Sequence, residues 1–140
     1  MTVHSILCPI DFGVAAEEAL RYAVSLAAQL RAGPVHVLHV HQAAAHGEGV
    51  VADRRMKQDA ARRLEDVTKR YSVHDVELVP HLIDGVPYEA ILTEAERLGV
   101  DLIVMGTHGR GALANALVGS VAQHVVRYGT VPVCTVRKPG

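Results

Sequence analysis

Glycine and serine residues at a distinctive spacing follow an apolar run in the second half of the chain. Gly106 comes directly after the run Asp101–Met105, and Gly109, Gly119 and Ser120 follow it. Glycine lets the backbone approach a ligand closely, and a serine at a helix N-terminus adds a hydroxyl to the amides there. This combination suits an anion, above all a phosphate. The same residues also fit a glycine-rich loop that only turns the chain, so their position in the fold decides between these two interpretations.

A carboxylate follows the first apolar run, in the segment Pro9–Gly13. There Asp11 could accept hydrogen bonds from ribose hydroxyls or adenine, or reach a phosphate-bound metal through water. The alternative is a turn or cap residue that orders the entry to the first helix. The tripeptide Asp11-Phe12-Gly13 does not indicate a protein kinase, because the catalytic-loop and lysine signatures of that fold are absent.

Two other phosphate motifs are excluded. The sequence has no Gly-Lys-Ser/Thr, so it contains no P-loop. Gly109-Arg110-Gly111 resembles the start of a dinucleotide fingerprint, but no acidic residue follows at the expected distance.

Arg110 is either a phosphate contact or a solvated surface arginine. His108 either orients water for slow hydrolysis or is a loop histidine without a catalytic role.

Composition predicts one soluble domain covering residues 1–140. Of these residues 49% are hydrophobic and 21% charged, and the formal net charge is −1. That charge, with one Phe, four Tyr and no Trp, argues against a nucleic-acid partner. No apolar stretch approaches the roughly 18 residues of a membrane span, and the N-terminus lacks the features of a signal peptide. We therefore expect a cytoplasmic protein with no membrane partner, in which Cys8 and Cys134 are buried thiols or, alternatively, a redox pair.

Hydrophobic periodicity predicts alternating strands and helices. A helical stripe of Ala19, Ala23, Leu26 and Leu30 stops at Gly33-Pro34, and a third helix begins near Pro87 and is capped by Gly99. The second helix carries Met56, Ala60, Leu64, Val67 and Tyr71, and the last runs from Ser120 through Val121 and Val125 to Gly129. The predicted strands are Ser5–Ile10, Val35–Val40, Val76–Ile83, Asp101–Met105 and Pro132–Val136.

This alternation is typical of an α/β fold with a single open five-stranded parallel sheet and helices on both faces. The Rossmann/flavodoxin-like strand order 3-2-1-4-5 fits best, because it puts the strand that contains Pro80 at an edge. Strands 1 and 4 are then neighbours at the point where the order reverses. Ligands of open α/β sheets bind there, so both candidate loops lie where a site is expected.

Three motifs in this order resemble the universal stress protein family, and the resemblance covers essentially the whole chain. They are Pro9-Ile10-Asp11 at the end of the first strand, His39-Val40 at the end of the second, and the nucleotide-binding pattern from Gly106 to Ser120. One departure is Gly13, where many members have serine. It removes a side-chain cap from the first helix but no expected ligand contact.

The resemblance implies an ATP site (or one for ADP or AMP), with Mg²⁺ on the phosphates, in a protein that responds to stress. Pro9, Ile10, Asp11 and Val40 would flank the adenine and ribose, and Met105 and Gly106 would lie against the ribose. Gly109, Gly119, Ser120 and Val121 would hold the phosphates, with Arg110 and His108 as the further candidates. ATP would act as a regulatory ligand. The alternatives are a slow ATP hydrolase and a protein-interaction module that needs no nucleotide.

Three further expectations concern the histidines, a loop and the last strand. His39 and His41 share one face of a strand, yet no ligand set at zinc spacing exists even with His46 nearby, so we expect no metal site. The segment Gln42–Val51 is interpreted as a mobile loop over the nucleotide. The last strand, Val131–Val136, is an apolar edge that we expect to pair with its own copy in a homodimer, as is common in the family, unless a helix or loop covers it.

Overall fold

The computed structural model describes residues 2–43, 49–73, 75–107 and 119–137. Strands and helices alternate within these ranges. The strands are β1 (Ile6–Pro9), β2 (Val35–His41), β3 (Leu78–Asp84), β4 (Leu102–Gly106) and β5 (Val133–Val136). The helices are α1 (Val14–Leu30), α2 (Gly49–Tyr71), α3 (Pro87–Leu98) and α4 (Ser120–Tyr128). None of these helices is both long enough and apolar enough to span a bilayer.

The five strands form one parallel sheet in the order β3-β2-β1-β4-β5, which confirms the predicted fold class and strand order. Pro80 lies on the edge strand β3, opposite Val37 of β2. A proline has no N–H to donate to a ladder, so an edge strand with one free side accommodates it.

Two apolar cores sandwich the sheet. On one face α1 and α2 cover a core that includes Ile6, Cys8, Leu20, Val37 and Leu64. On the other face α3 and α4 cover a core that includes Leu7, Leu38, Ile91, Ile103 and Val125. Alternate residues of each central strand therefore enter opposite cores, and this is why β1 reads as a continuous apolar run.

Local signals account for the helix ends. α3 begins at Pro87, ends at Leu98 and is capped by Gly99, as predicted, and the φ of 64° at Gly99 is left-handed. α1 follows Gly13, which makes no side-chain cap. α4 follows Gly119, so Ser120 is its first helical residue rather than its cap. No side chain of the described residues caps the N-terminus of α4, so the hydrogen-bond donors at this helix end are its backbone amides.

Several strand ends differ from the sequence prediction by one residue, and two element starts and one position on a helix face differ more. α2 already begins at Gly49, so the last residues of the predicted loop are helical, and residues 44–48 lie outside the described part of the chain. Met56 was expected on the buried stripe of α2 but is 49% exposed. β3 begins at Leu78 rather than Val76, and Val76 forms an isolated bridge with Val73.

Candidate nucleotide site

The carboxyl ends of β1 and β4 form the centre of the candidate site. The two strands pair at Ile6–Leu102 and Leu7–Ile103. Both continue beyond these pairs, β1 to Pro9 and β4 to Gly106. The strand order reverses here, since β2 follows β1 on one side and β5 follows β4 on the other. This is the position at which open α/β sheets bind ligands.

The two ends of the glycine pattern meet at this edge. The Gly119 amide donates a hydrogen bond to the carbonyl oxygen of Thr107, and the Thr107 amide donates to the carbonyl oxygen of Val136 at 2.9 Å. The start of α4 is therefore tied to the end of β4 and, through it, to β5. His108, Gly109 and Arg110 belong to residues 108–118, which lie outside the described residues.

The N-terminus of α4 presents backbone donors at this edge. The first intrahelical bond runs from the Gln123 amide to the Gly119 carbonyl oxygen at 3.0 Å, so the amides of Ser120 and Val121 precede it. Amides in the first turn of a helix have no intrahelical acceptor, and the helix dipole adds partial positive charge there. Ser120 is exposed and Val121 half-buried. This helix end is suited to an anion.

The fold requires glycine at position 106 for a packing reason that the sequence did not reveal. A Cβ at this position would lie 2.8 Å from the carbonyl carbon of Ala15 and 2.9 Å from its Cβ. Only glycine allows α1 to pack this closely on β4. The predicted contact between Gly106 and a ribose stays a prediction, and the close approach found here is to a helix.

Asp11 belongs to the turn that starts α1. Its Oδ1 accepts a hydrogen bond from the Gly13 amide at 2.9 Å. The intervening Phe12 has a φ of 67°, which is left-handed and uncommon for a bulky side chain. Asp11 therefore acts as the turn residue that the sequence allowed. Its contact with a ribose, adenine or phosphate-bound metal stays a prediction.

The residues expected around adenine differ in what they offer. Ile10 and Met105 are each 5% exposed, with their side chains in the α1–α2 and α3–α4 cores respectively. Their contribution to a ligand would therefore come from the backbone. Val40 is half-buried at the margin of the α3–α4 core, and Pro9 is buried at the end of β1.

The histidines of β2 divide between the two faces as predicted. His41 contacts Asp53 of α2 (Nε2 to Oδ1, 2.8 Å), and His39 Nδ1 lies 2.8 Å from the carbonyl oxygen of Ile10. Burial is the main cause that lowers the pKa of His39 below its ordinary value. His36 instead contacts His81 of β3. In the described ranges no group of three or more His, Cys, Asp or Glu side chains is placed to hold a metal, and His46 lies outside these ranges.

Sequence reasoning missed Arg63 of α2, whose guanidinium lies 4.6 Å from the centre of the Phe12 ring. No local pattern marks Arg63, because it reaches the β1–α1 turn only through the packing of α2. The pairing of His36 with His81 was also missed. Only the register of β2 against β3, which sets Leu38 opposite His81, brings these two rings together.

Known proteins resemble this chain along its whole length. The model of the universal stress protein family matches residues 2–137. Universal stress protein MJ0531 of Methanocaldococcus jannaschii is 31% identical, with 96% of this chain and 82% of the relative covered. Universal stress protein MJ0577 of the same organism is 28% identical, with 95% and 94% covered.

Solved structures share the fold. The structure of MJ0577 superposes with a TM-score of 0.86 at 28% identity, with 100% of this chain and 99% of the other covered. A universal stress protein in complex with cAMP has a TM-score of 0.69 at 21% identity, with 99% and 100% covered. The universal stress protein of Archaeoglobus fulgidus in complex with dAMP has a TM-score of 0.63 at 23% identity, with 97% and 99% covered. The chain therefore belongs to the universal stress protein family.

Proposed function

We propose that this protein binds an adenine nucleotide, ATP above all, at the carboxyl edge between β1 and β4, and that the nucleotide is a regulatory ligand in a stress response. The observation that carries the proposal is the hydrogen bond from Gly119 to Thr107, which joins the start of α4 to the end of β4. The cAMP and dAMP complexes of two proteins with this fold support an adenine nucleotide.

The described residues would bind the three parts of the ligand separately. The phosphates would lie at the N-terminus of α4, on the amides of Ser120 and Val121 and the Ser120 hydroxyl. The ribose would lie between Asp11 and Gly106. The base would contact Val40 and the end of β1, including Pro9 and the backbone of Ile10.

Residues outside the described ranges would complete the phosphate site. Gly109 allows close approach of the backbone, and Arg110 supplies a cation for the β- and γ-phosphates. Mg²⁺ would bind the phosphates themselves and retain several waters, as it does in most nucleotide sites. Asp11 would then reach the ion only through water. The proposed site contains several residues that would bind the phosphates, whereas His108 is its candidate base. We therefore expect ATP hydrolysis to be slow or absent.

Isothermal titration of ATP with Mg²⁺ tests the proposal. We expect the wild-type protein to bind and Gly119→Val to lose binding, because a β-branched side chain would fill the space in front of the α4 amides. The φ of −68° and ψ of 161° at Gly119 suit any L-residue, so this variant introduces no backbone strain.

Gly99→Val is the matched control. Gly99 caps α3 just before β4, at the opposite edge of the sheet, and its φ of 64° makes valine unfavourable. This variant should lose stability yet bind ATP with wild-type affinity. Absence of binding to the wild-type protein at millimolar ATP would refute the proposed function. Equal affinities for the wild-type protein and Gly119→Val would refute the phosphate position.

We also propose that β5 pairs with a second copy of itself. β5 ends the sheet, and Val133, Cys134 and Val136 are half-buried there. The carbonyl oxygen of Pro132 accepts a hydrogen bond from Ile103 of β4, and that of Val136 accepts one from Thr107, the residue after β4. By the alternation of a strand, the N–H of Thr135 is then directed away from β4, toward a partner strand.

Thr135→Pro removes that outward N–H and leaves the bonds to β4 in place. Light scattering after size exclusion should show a dimer for the wild-type protein and for Thr135→Val, and a monomer for Thr135→Pro. A wild-type monomer at high concentration, or a dimer that Thr135→Pro does not affect, would contradict pairing through this edge.

A further inference from the structure

The Phe12 ring, next to Asp11, contacts two side chains from other elements, His39 and Arg63. The ring of Phe12 lies 4.5 Å from the His39 ring, between centroids, with 35° between the ring planes. The guanidinium of Arg63 lies 4.6 Å from the centre of the same phenyl ring. His39 belongs to β2 and Arg63 to α2, so the turn after β1 is held by a neighbouring strand and a neighbouring helix.

His39 also bonds the backbone at the start of this turn. Its Nδ1 lies 2.8 Å from the carbonyl oxygen of Ile10, and because a carbonyl only accepts, Nδ1 carries the hydrogen. The Ile10 amide donates to the carbonyl oxygen of Leu38 at 2.7 Å. Both backbone polar groups of Ile10, the residue before Asp11, are therefore attached to β2.

The conformation of Phe12 is unfavourable in isolation. Its φ of 67° is left-handed, whereas Gly13 next to it has an ordinary φ of −83°. A bulky residue keeps such a conformation only where its surroundings determine it, and such residues concentrate at functional sites. At Phe12 the determining contacts are those with the His39 ring and the Arg63 guanidinium, together with the hydrogen bond between Asp11 and Gly13.

We propose that His39 is a positioning residue for nucleotide binding. Its Nδ1–H holds the Ile10 carbonyl and its ring holds Phe12, and together these orient the Asp11 carboxylate toward the ribose hydroxyls. His39 itself does not contact the ligand. The inference rests on the proposed nucleotide site and identifies the residue that sets its ribose-binding end.

The electrostatic surroundings of His39 agree with this role. Burial lowers its pKa, and the nearby Arg63 and His41 lower it further, while the Ile10 bond and Asp11 act in the opposite direction. The lowered pKa favours the neutral ring, and the contact with the Ile10 carbonyl oxygen places its hydrogen on Nδ1. A neutral donor fixes the turn without adding a second cation beside Arg63.

Titration of ATP with Mg²⁺ into His39 variants tests the inference. The amide nitrogen of asparagine occupies nearly the place of Nδ1, whereas that of glutamine extends to the place of Nε2. We expect His39→Asn to bind within about threefold of wild type. His39→Leu should bind about tenfold more weakly, the equivalent of one hydrogen bond.

His36→Leu is the matched control. His36 is also a partly buried histidine of β2, and its Nδ1 lies 2.8 Å from Nε2 of His81. It lies on the opposite face of the sheet from His39. Urea unfolding of both leucine variants measures the loss of stability that each substitution causes. We expect only His39→Leu to lose affinity as well.

The outcomes separate the inference from the proposed function. If the wild-type protein binds no ATP, the proposed function fails. If it binds and His39→Leu binds equally well, the inference alone fails. If His39→Leu does not fold, the comparison of His39→Asn with His39→Gln decides: weaker binding by the glutamine variant supports the inference, and equal affinities overturn it.

Discussion

The amide of Gly119 donates a hydrogen bond to the carbonyl oxygen of Thr107, so the first turn of α4 begins where β4 ends. Thr107 is only 3% exposed and is itself bonded to Val136 of β5. This contact brings the two ends of the glycine pattern together, although eleven residues of the sequence (108–118) separate Thr107 from Gly119. The helix end that suits an anion is therefore placed by the sheet.

Removal of the Gly119 donor should destabilise the fold. Proline matches the φ of −68° at this position but has no N–H, so Gly119→Pro leaves the Thr107 carbonyl without this partner. A buried acceptor that loses its partner costs about 1 to 3 kcal/mol. Gly119→Ala keeps the donor and should stay close to wild type. Urea unfolding measures both variants, and equal stabilities would contradict the importance of this bond.

Gly106→Ala should also destabilise the protein, for a reason unrelated to ligands. The new Cβ would lie 2.8 to 3.0 Å from the carbonyl group and Cβ of Ala15, so α1 must move away from β4. Overpacking of this kind costs about 1 to 3 kcal/mol. The double variant Gly106→Ala/Ala15→Gly should recover only part of the loss, because the backbone of Ala15 remains in the way.

Thermal or urea unfolding of the single and double Gly106 variants checks this expectation. Wild-type stability of Gly106→Ala would show that α1 and β4 separate easily. Full recovery in the double variant would assign the whole effect to the Ala15 methyl group.

The two thiols should differ in reactivity. Cys8 is completely buried, and this burial strongly raises the pKa of its thiol. Cys134 is half-buried, and burial raises the pKa of its thiol as well. Because the thiolate is the reactive form, a thiol reagent should modify Cys134 slowly and Cys8 only when the protein unfolds.

Mass spectrometry of the native protein after timed labelling checks this order. Cys134→Ala should then show almost no labelling in buffer and one label in denaturant. Rapid labelling of Cys8 in the native protein would contradict its burial.

The His36–His81 pair should make stability depend on pH. Burial is the first cause that lowers the pKa of each ring below its ordinary value of 6.5, and Arg97 of α3 lowers both further. Glu77 opposes this effect at His36, and Glu94 opposes it at His81. The unfolded chain therefore binds protons more readily than the folded one below about pH 6.5. This contribution to stability is complete above that pH and is lost as the pH falls through the folded pKa values.

His81→Gln isolates the contribution of the pair. Glutamine still offers a hydrogen-bonding group to His36 but does not titrate. The free energy of unfolding of this variant should fall less between pH 7 and pH 5 than that of the wild-type protein. Urea titrations at several pH values measure the two slopes, and identical slopes would exclude the pair as a source of acid sensitivity.

Much of the fold was predictable because its signals are local. Apolar runs of strand length marked the five strands, and Pro87 and Gly99 bounded α3 through their own backbone preferences. Pro80 indicated an edge strand because it lacks an N–H, and this was enough to favour the observed strand order. Met56 shows the limit of this reasoning, because periodicity placed it on the apolar face of α2 and yet it is 49% exposed.

The sequence by itself determined the elements, their order and the family motifs, because each depends on neighbouring residues or on chain topology. Only the tertiary structure decided which distant groups meet. Gly106 is constrained by Ala15, Phe12 is held by His39 and Arg63, and Gly119 closes onto Thr107. These contacts join residues far apart in the sequence, and their distances follow from strand register and helix packing, which no local pattern encodes.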